Sequence, residues 1–134
     1  MRALALVVAL LLAACEQAPG YDAASVQLVA ELKDYSVNLN ASAVKAGTVK
    51  VGIRNRGTQP HDFLVIRTDL APDQLPYDAG RAKANEDGVV GKTQDLRAGG
   101  TAALTVTLEP GSYVVICNIA GHYQLGMRTA LKVN

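Results

Sequence analysis

"SYVVICNIAGHYQLGM", Ser112 to Met127, decides how this chain is built. Its first part, "SYVVICN", is apolar on both parities, as expected of a central strand covered on two sides. A second run of the same kind, "HDFLVIRT", spans 61 to 68. Around these two, apolar residues recur at every second position. Tyr35, Val37 and Leu39 alternate with polar residues, as do Val49, Val51 and Ile53, and again Leu104, Val106 and Leu108. These are half-buried strands. Adding 25 to 32 and "RTALKV" (128 to 133) gives about seven strands at the spacing of a sandwich, with room for an eighth near Val89. "EPGS" at 109 to 112, "RNRGTQ" and "RAGG" supply turns. Residues 69 to 88 carry Pro72, Pro76 and Gly80 without strand alternation. They read as a long connection crossing from one sheet to the other, with space for one short helix. The expected fold is all-β: a Greek-key β-sandwich of seven to eight strands. With one Phe, five Tyr and no Trp, its core must be aliphatic.

At 134 residues the chain has room for one domain and one real core. Thirteen basic residues against twelve acidic ones, with no basic run, make nucleic acid a poor partner. The first fifteen residues, "MRALALVVALLLAAC", follow a different logic: one Arg, an apolar run from Ala3 to Leu12, then small residues. The run is too short to span a bilayer and reads as an export signal. Its end, "LAAC", resembles the bacterial lipobox, which implies cleavage before Cys15 and a diacylglyceryl thioether on that sulfur. The competing reading is an ordinary secretory signal with Cys15 incidental. The expected organisation is therefore 1–14 lipoprotein signal peptide, 15–24 lipidated tether and 25–134 folded domain, held at the bacterial cell envelope. Glu16 after Cys15 points weakly outward rather than to inner-membrane retention. Cys117 is then the only thiol left for the exported domain, and no internal disulfide can form. A lone exported thiol is exposed to oxidation unless something occupies it.

The loop from Cys117 to Met127 gathers that thiol, His122 and the only Met besides the initiator. Thiolate, imidazole and thioether together suit a soft transition metal. His61 opens the other central strand directly after Pro60 and is the chain's only other His. In a Greek-key sandwich the two strand ends can lie side by side at one pole. His61, Cys117, His122 and Met127 could then meet, leaving no His, Cys or Met beyond Cys15 unused. Taken singly each has a bland reading as a core or capping residue. Jointly, two imidazoles and a thiolate with a weak thioether form the blue-copper arrangement. Structural zinc, the main rival, prefers more thiolate or imidazole and rarely uses Met.

On these residues the chain resembles the cupredoxins. "PHDF" and "YVVICNIAGHYQLGM" carry the likeness, and it extends over about Ser25 to Asn134. Four residues between Cys117 and His122, and four more before Met127, match the ligand loop of the rusticyanin, sulfocyanin and auracyanin branch. The resemblance implies one type 1 copper ion cycling between Cu(I) and Cu(II). It also implies an exposed His122 edge within an apolar docking rim of Pro60, Ala120, Tyr123 and Leu125. Two departures stand out. Ala120 replaces the usual Pro, which predicts a less rigid loop, and Asp62 replaces the usual Asn or Ser after the first ligand, which puts the bridge at the copper pole in question.

The function expected is that of a monomeric electron carrier, exchanging single electrons with a protein donor and acceptor and tied to the membrane by its N-terminal lipid. Catalysis at copper needs an open position or a second centre, and the chain has no His to spare for one. A Cys117–His122 hydrolase would leave His61 and Met127 unexplained. Copper delivery or resistance is the alternative, although exposed Met or His clusters are absent from the sequence.

Overall fold

A computed structural model describes residues 20–134. The expected signal peptide and Cys15, with the tether through residue 19, lie outside the described residues. Among the described residues a short 3₁₀ turn, Ala23–Ser25, precedes eleven strands: β1 Leu28–Lys33, β2 Ser36–Leu39, β3 Ala43–Val44, β4 Gly47–Asn55, β5 Leu64–Arg67, β6 Tyr77–Asp78, β7 Lys83–Ala84, β8 Val89–Lys92, β9 Thr101–Leu108, β10 Gly111–Ile116 and β11 Arg128–Val133. One sheet runs β2-β1-β4-β9 and a second runs β3-β11-β10-β5-β8. The pairings β1–β4 and β3–β11 are parallel, and the rest within these sheets are antiparallel.

The two sheets bury an aliphatic core. Leu28, Ala30, Leu32, Val49, Val51, Ile53, Val106 and Leu108 come from the first, facing Val65, Tyr113, Val115, Leu131 and Val133 from the second. Each Val, Leu or Ile among them, withdrawn from water, stabilises the fold by roughly 1.5–3 kcal/mol before entropy is counted. The two runs that are apolar on both parities are the central β10 and β5, as their sequence predicts. Odd-numbered Phe63, Val65, Tyr113 and Val115 face the sandwich. Even-numbered Leu64, Ile66, Val114 and Ile116 face a second cluster outside it, covered by Leu75, Ala84 and Tyr123.

Leu75 and Ala84 belong to the long connection and Tyr123 to the loop after β10. The connection differs from the expectation in two ways. It contains no helix. Instead β6 and β7 pair as a small antiparallel hairpin, Tyr77 opposite Ala84, because two prolines and short apolar spacing offer no helical face to bury. Nor does it cross between sheets: β5 and β8 are neighbours in the same sheet, and the segment leaves and returns while folding over that sheet's outer face. The crossing comes later, between β8 and β9.

Two smaller differences concern the N-terminal part. Tyr35 does not join the alternation of β2. It sits in the two-residue turn between β1 and β2 with φ +72° and is 55% exposed. Part of the segment expected as tether is docked on the domain. Tyr21 is buried and packs against Gly52, where a Cβ would collide with its ring. Arg54 stacks on that ring and donates to its hydroxyl at 2.9 Å.

Candidate metal centre

Strand parity carries the first two functional side chains to one end of the core. His61 shares the parity of Phe63 and Val65, and Cys117 that of Tyr113 and Val115, so both turn inward, where they are buried. The β5–β10 register sets Ile116 opposite Leu64. Continued, it brings Cys117 opposite Phe63 and Asn118 opposite Asp62.

The backbone at His61 is clamped from both sides. Its N–H donates to Leu96 O at 3.0 Å, and Leu96 N–H donates back at 2.7 Å. Buried Asn55 shapes the approach, donating through Nδ2 to Gln59 O and Leu96 O while Oδ1 accepts from Gly57 N–H at 2.8 Å. The ligand loop closes on itself in the same manner. Cys117 N–H donates to Met127 O at 3.0 Å, Met127 N–H to His122 O at 3.1 Å, and His122 N–H to Ile119 O at 2.9 Å. Gly121 and Gly126 take positive φ at the loop's bends, a region open to glycine without steric cost.

The loop around Ala120 is tied to the β6–β7 hairpin. Gly121 N–H donates to Ala82 O at 2.7 Å, and buried Asn118 pairs with Ala84 as a strand neighbour would: its Oδ1 accepts from Ala84 N–H at 2.9 Å and its Nδ2 donates to Ala84 O at 3.0 Å. The β6–β7 hairpin thus contacts the loop through its backbone at Ala82 and Ala84. The bridge in question at Asp62 is also made, since its Oδ1 accepts from Asn118 N–H at 2.6 Å and ties the His61 segment to the Cys117 segment.

Three donor atoms converge. Cys117 Sγ lies 3.5 Å from His122 Nδ1 and 3.8 Å from His61 Nδ1, and the two Nδ1 atoms are 3.2 Å apart. Metal–nitrogen bonds of about 2.0 Å and a metal–sulfur bond of about 2.3 Å, spread at about 120°, separate two nitrogens by roughly 3.5 Å and nitrogen from sulfur by roughly 3.7 Å. The donor set therefore fits a single first-row ion. Met127 is fully buried in the same core cluster as Cys117, its carbonyl bonded to the Cys117 amide.

Burial is the main influence on the titratable groups at the cluster. Burial pushes the Cys117 thiol up to about 12, the nearby Asp62 carboxyl adds to this, and the backbone N–H groups of Ile119 and Asp62 oppose it. Burial and the neighbouring His61 hold His122 below its ordinary value, so it stands ready as a neutral ligand. Burial also raises Asp62, against the hydrogen bond from Asn118. Asp34 is held down at about 2, chiefly by hydrogen bonds from the Thr58 hydroxyl and amide, and its Oδ1 lies 3.0 Å from His61 Nε2.

The expected rim is only partly at the surface. Pro60 and Ala120 are exposed, Leu125 is 57% exposed and His122 is half-buried. Tyr123 is 2% exposed and does not belong to the rim. It turns the other way, into the outer cluster, where its hydroxyl donates to Pro72 O at 2.9 Å and accepts from Leu75 N–H at 3.0 Å. Arg128 stacks over its ring and donates to its carbonyl. Sequence reasoning also missed Asp34, Asn55 and Asn118. No spacing links the first two to the ligands, though the parity of Asn118, adjacent to Cys117 and outward-facing, was a usable signal.

A family model for the cupredoxin-like domain matches residues 2–129. No curated protein matches the sequence. Solved structures do. Reduced auracyanin from the photosynthetic bacterium Roseiflexus castenholzii is 22% identical, over 79% of this chain and 95% of that one, with a TM-score of 0.56. Rusticyanin from Thiobacillus ferrooxidans is 21% identical, over 80% and 75%, with a TM-score of 0.64. An azurin from Methylomonas sp. strain J is 14% identical, over 79% and 95%, with a TM-score of 0.53. At these identities the likeness is one of fold. The donors agree with it independently: His61, Cys117 and His122, with Met127 beside them, are arranged as a type 1 copper site. With a family match spanning nearly its whole length, the chain belongs to the cupredoxin-like domain family.

Proposed function

We propose that the protein is a blue-copper electron carrier. His61 Nδ1, Cys117 Sγ and His122 Nδ1, with the Met127 thioether beside them, would hold a single copper ion, and electrons would pass one at a time without a bond to the partner. The convergence of the thiol sulfur and both imidazole Nδ1 atoms within 4.8 Å of one another carries this reading. When bound, copper supplies the one-electron Cu(I)/Cu(II) couple, for which such a donor set is a compromise geometry. The chain's own groups do the rest. The buried thiol and Met127 keep the site dry, the clamped backbones at His61 and Cys117 fix the donors, and half-buried His122 brings the site to the surface. Pro60, Ala120 and Leu125 around it form a small docking face for a redox donor and acceptor, large enough for a transient encounter.

In the cell the domain is carried by lipid on Cys15 at the envelope, exported by the segment 1–14. This part of the proposal rests on the lipobox-like "LAAC". Metabolic labelling with a radioactive fatty acid, lost in Cys15→Ala, tests it.

Titration of the purified soluble domain with Cu(II) tests the site. One equivalent should give an intense visible thiolate-to-copper band and an EPR signal with narrow parallel hyperfine splitting. Cys117→Ala should abolish the band while the strand content by circular dichroism persists. A variant that stayed blue would remove Cys117 from the site. Ready loss of the ion to a mild chelator would speak for copper delivery rather than electron transfer.

A further inference from the structure

One carboxylate touches the donor cluster from behind. Asp34, in the turn between β1 and β2, places Oδ1 3.0 Å from His61 Nε2, on the side of the ring opposite Nδ1. The contact is held from several directions. Thr58 Oγ1 donates to Asp34 Oδ2 at 2.7 Å, Thr58 N–H reaches both carboxylate oxygens at 3.1 Å, and Gln59 N–H approaches Oδ1 at 3.4 Å. Gly57 leaves space for the pair: a Cβ there would stand 2.7 Å from His61 Nε2 and collide with Asp34 Oδ1. The neighbouring Tyr35 takes φ +72°, a conformation a bulky residue adopts only where its surroundings impose it.

A carboxylate facing Nε2 requires the ring proton there, which leaves the Nδ1 lone pair aimed toward Cys117 Sγ. A ring so hydrogen-bonded is also a stronger donor, and carboxylate partners of metal-bound histidines typically change metal affinity 10–100-fold when removed. A fixed negative charge favours the more highly charged of two ions.

We propose that Asp34 is the positioning residue of this site: it selects the Nε2–H tautomer of His61 and biases bound copper toward Cu(II). The proposal rests on the copper reading above for its second half only; the tautomer is a property of the metal-free chain. Thr58 and Gly57 act through Asp34, the first gripping the carboxylate and the second making room for it.

Two substitutions separate geometry from charge. Asp34→Asn keeps an oxygen acceptor of the same reach and removes the charge, so the tautomer should persist while the Cu(II)-to-Cu(I) affinity ratio falls about tenfold. That is a rise of about 59 mV in midpoint potential for one electron. Asp34→Ala removes both, so His61 should become a mixture of tautomers and Cu(II) affinity should fall roughly 10–100-fold. Thr58→Val, which loosens the grip without touching Asp34, should move the potential the same way by less, and serves if the Asp34 variants fold poorly.

Long-range ¹⁵N–¹H NMR of the metal-free protein reads the tautomer, spectroelectrochemistry of the copper-loaded protein reads the potential, and competition with a chromophoric chelator reads Cu(II) affinity. Wild-type His61 protonated on Nδ1 would overturn the proposal whether or not copper binds. A copper-loaded Asp34→Asn protein with the wild-type midpoint would overturn the bias toward Cu(II). Failure of the wild type to take up copper would strike the electron-carrier reading and the bias together, with the tautomer still decided by the metal-free spectrum.

Discussion

Replacing Asn118 by Ala tests whether the outer hairpin is part of the metal site's support. The Asn118 side chain makes three hydrogen bonds, two to the backbone N–H and C=O of Ala84 and one to Glu86 Oε1 at 3.1 Å. Ala84 is buried, so both of its backbone groups would be left without a partner in a site water enters poorly. Glu86 is half-exposed and can rehydrate, so its bond is the cheap one. A buried polar group left unsatisfied costs about 1–3 kcal/mol. Two of them, partly relieved by movement of the hairpin, should lower stability by about 3 kcal/mol. For a domain of this size that corresponds to a fall of roughly 10 °C in Tm by calorimetry of the metal-free protein. The loss should be local in origin. The Ala84 amide should be protected from hydrogen exchange in the wild type and exchange at the rate of an exposed loop in Asn118→Ala, while the Val65 and Val115 amides keep most of their protection. Because Gly121 N–H also depends on this hairpin, the copper-loaded variant should show a broadened EPR signal as the loop samples more than one geometry. A loss below about 1 kcal/mol with Ala84 still protected would refute the argument, since the hairpin would then be held by something other than Asn118.

Two further outcomes follow from the site's electrostatics and from the placement of its aromatic residues. The Cys117 thiol, pushed up to about 12 by burial, stays protonated through the neutral range, while His122 is already neutral there. Copper uptake must therefore release one proton, and apparent Cu(II) affinity should rise about tenfold per pH unit between roughly pH 7 and 8.5; calorimetry in buffers of different ionisation enthalpy counts the proton, and a count near zero would contradict it. Folding stability should be insensitive to this group below about pH 9, because a raised folded-state value exacts its cost only once the unfolded thiol begins to ionise. Tyr123→Phe should cost about 1–2 kcal/mol through the lost bonds to Pro72 and Leu75 and leave electron exchange with a partner unchanged, whereas Leu125→Glu should slow that exchange and leave Tm within about 1 °C; stopped-flow mixing with a small redox protein compares the two.

Much of this was legible in the sequence because strand parity is a two-state code. Once "SYVVICN" and "HDFLVIRT" are recognised as strands buried on both faces, the inward turn of Cys117 and His61 follows from counting, and the spacing to His122 and Met127 places the loop. Other features are set by partners far away along the chain. Tyr123 sits in the ligand loop between two candidate rim residues, yet one hydroxyl bonded to Pro72 and Leu75 turns it inward, and neither partner is marked by any pattern. The 69–88 segment lacks periodicity because its job is to cover a sheet with a few apolar contacts from irregular backbone. Helix or hairpin there is decided by what Leu64, Ile66, Val114 and Ile116 need covered. Asp34 is the extreme case: a carboxylate in a two-residue turn is ordinary turn chemistry, and only the packing of that turn against residues 57 to 61 gives it a ring to hold.

Each donor in the cluster is fixed by bonds that do not involve a metal. His61 is clamped to Leu96 and faced by Asp34, Cys117 is tied to Met127, and the loop through His122 closes on its own backbone and on Ala82. A site assembled in this way can relax little when an ion's charge changes by one, because moving any donor would break hydrogen bonds in a closely packed core. Small structural change between oxidation states is the physical condition for fast outer-sphere transfer. It is also the opposite of what handing over the ion requires, which is a donor that can swing away. Among the four, only His122 stands at the surface on a loop, and its amide and carbonyl are both engaged, to Ile119 and Met127. Such a backbone is what the proposed electron-carrier role requires.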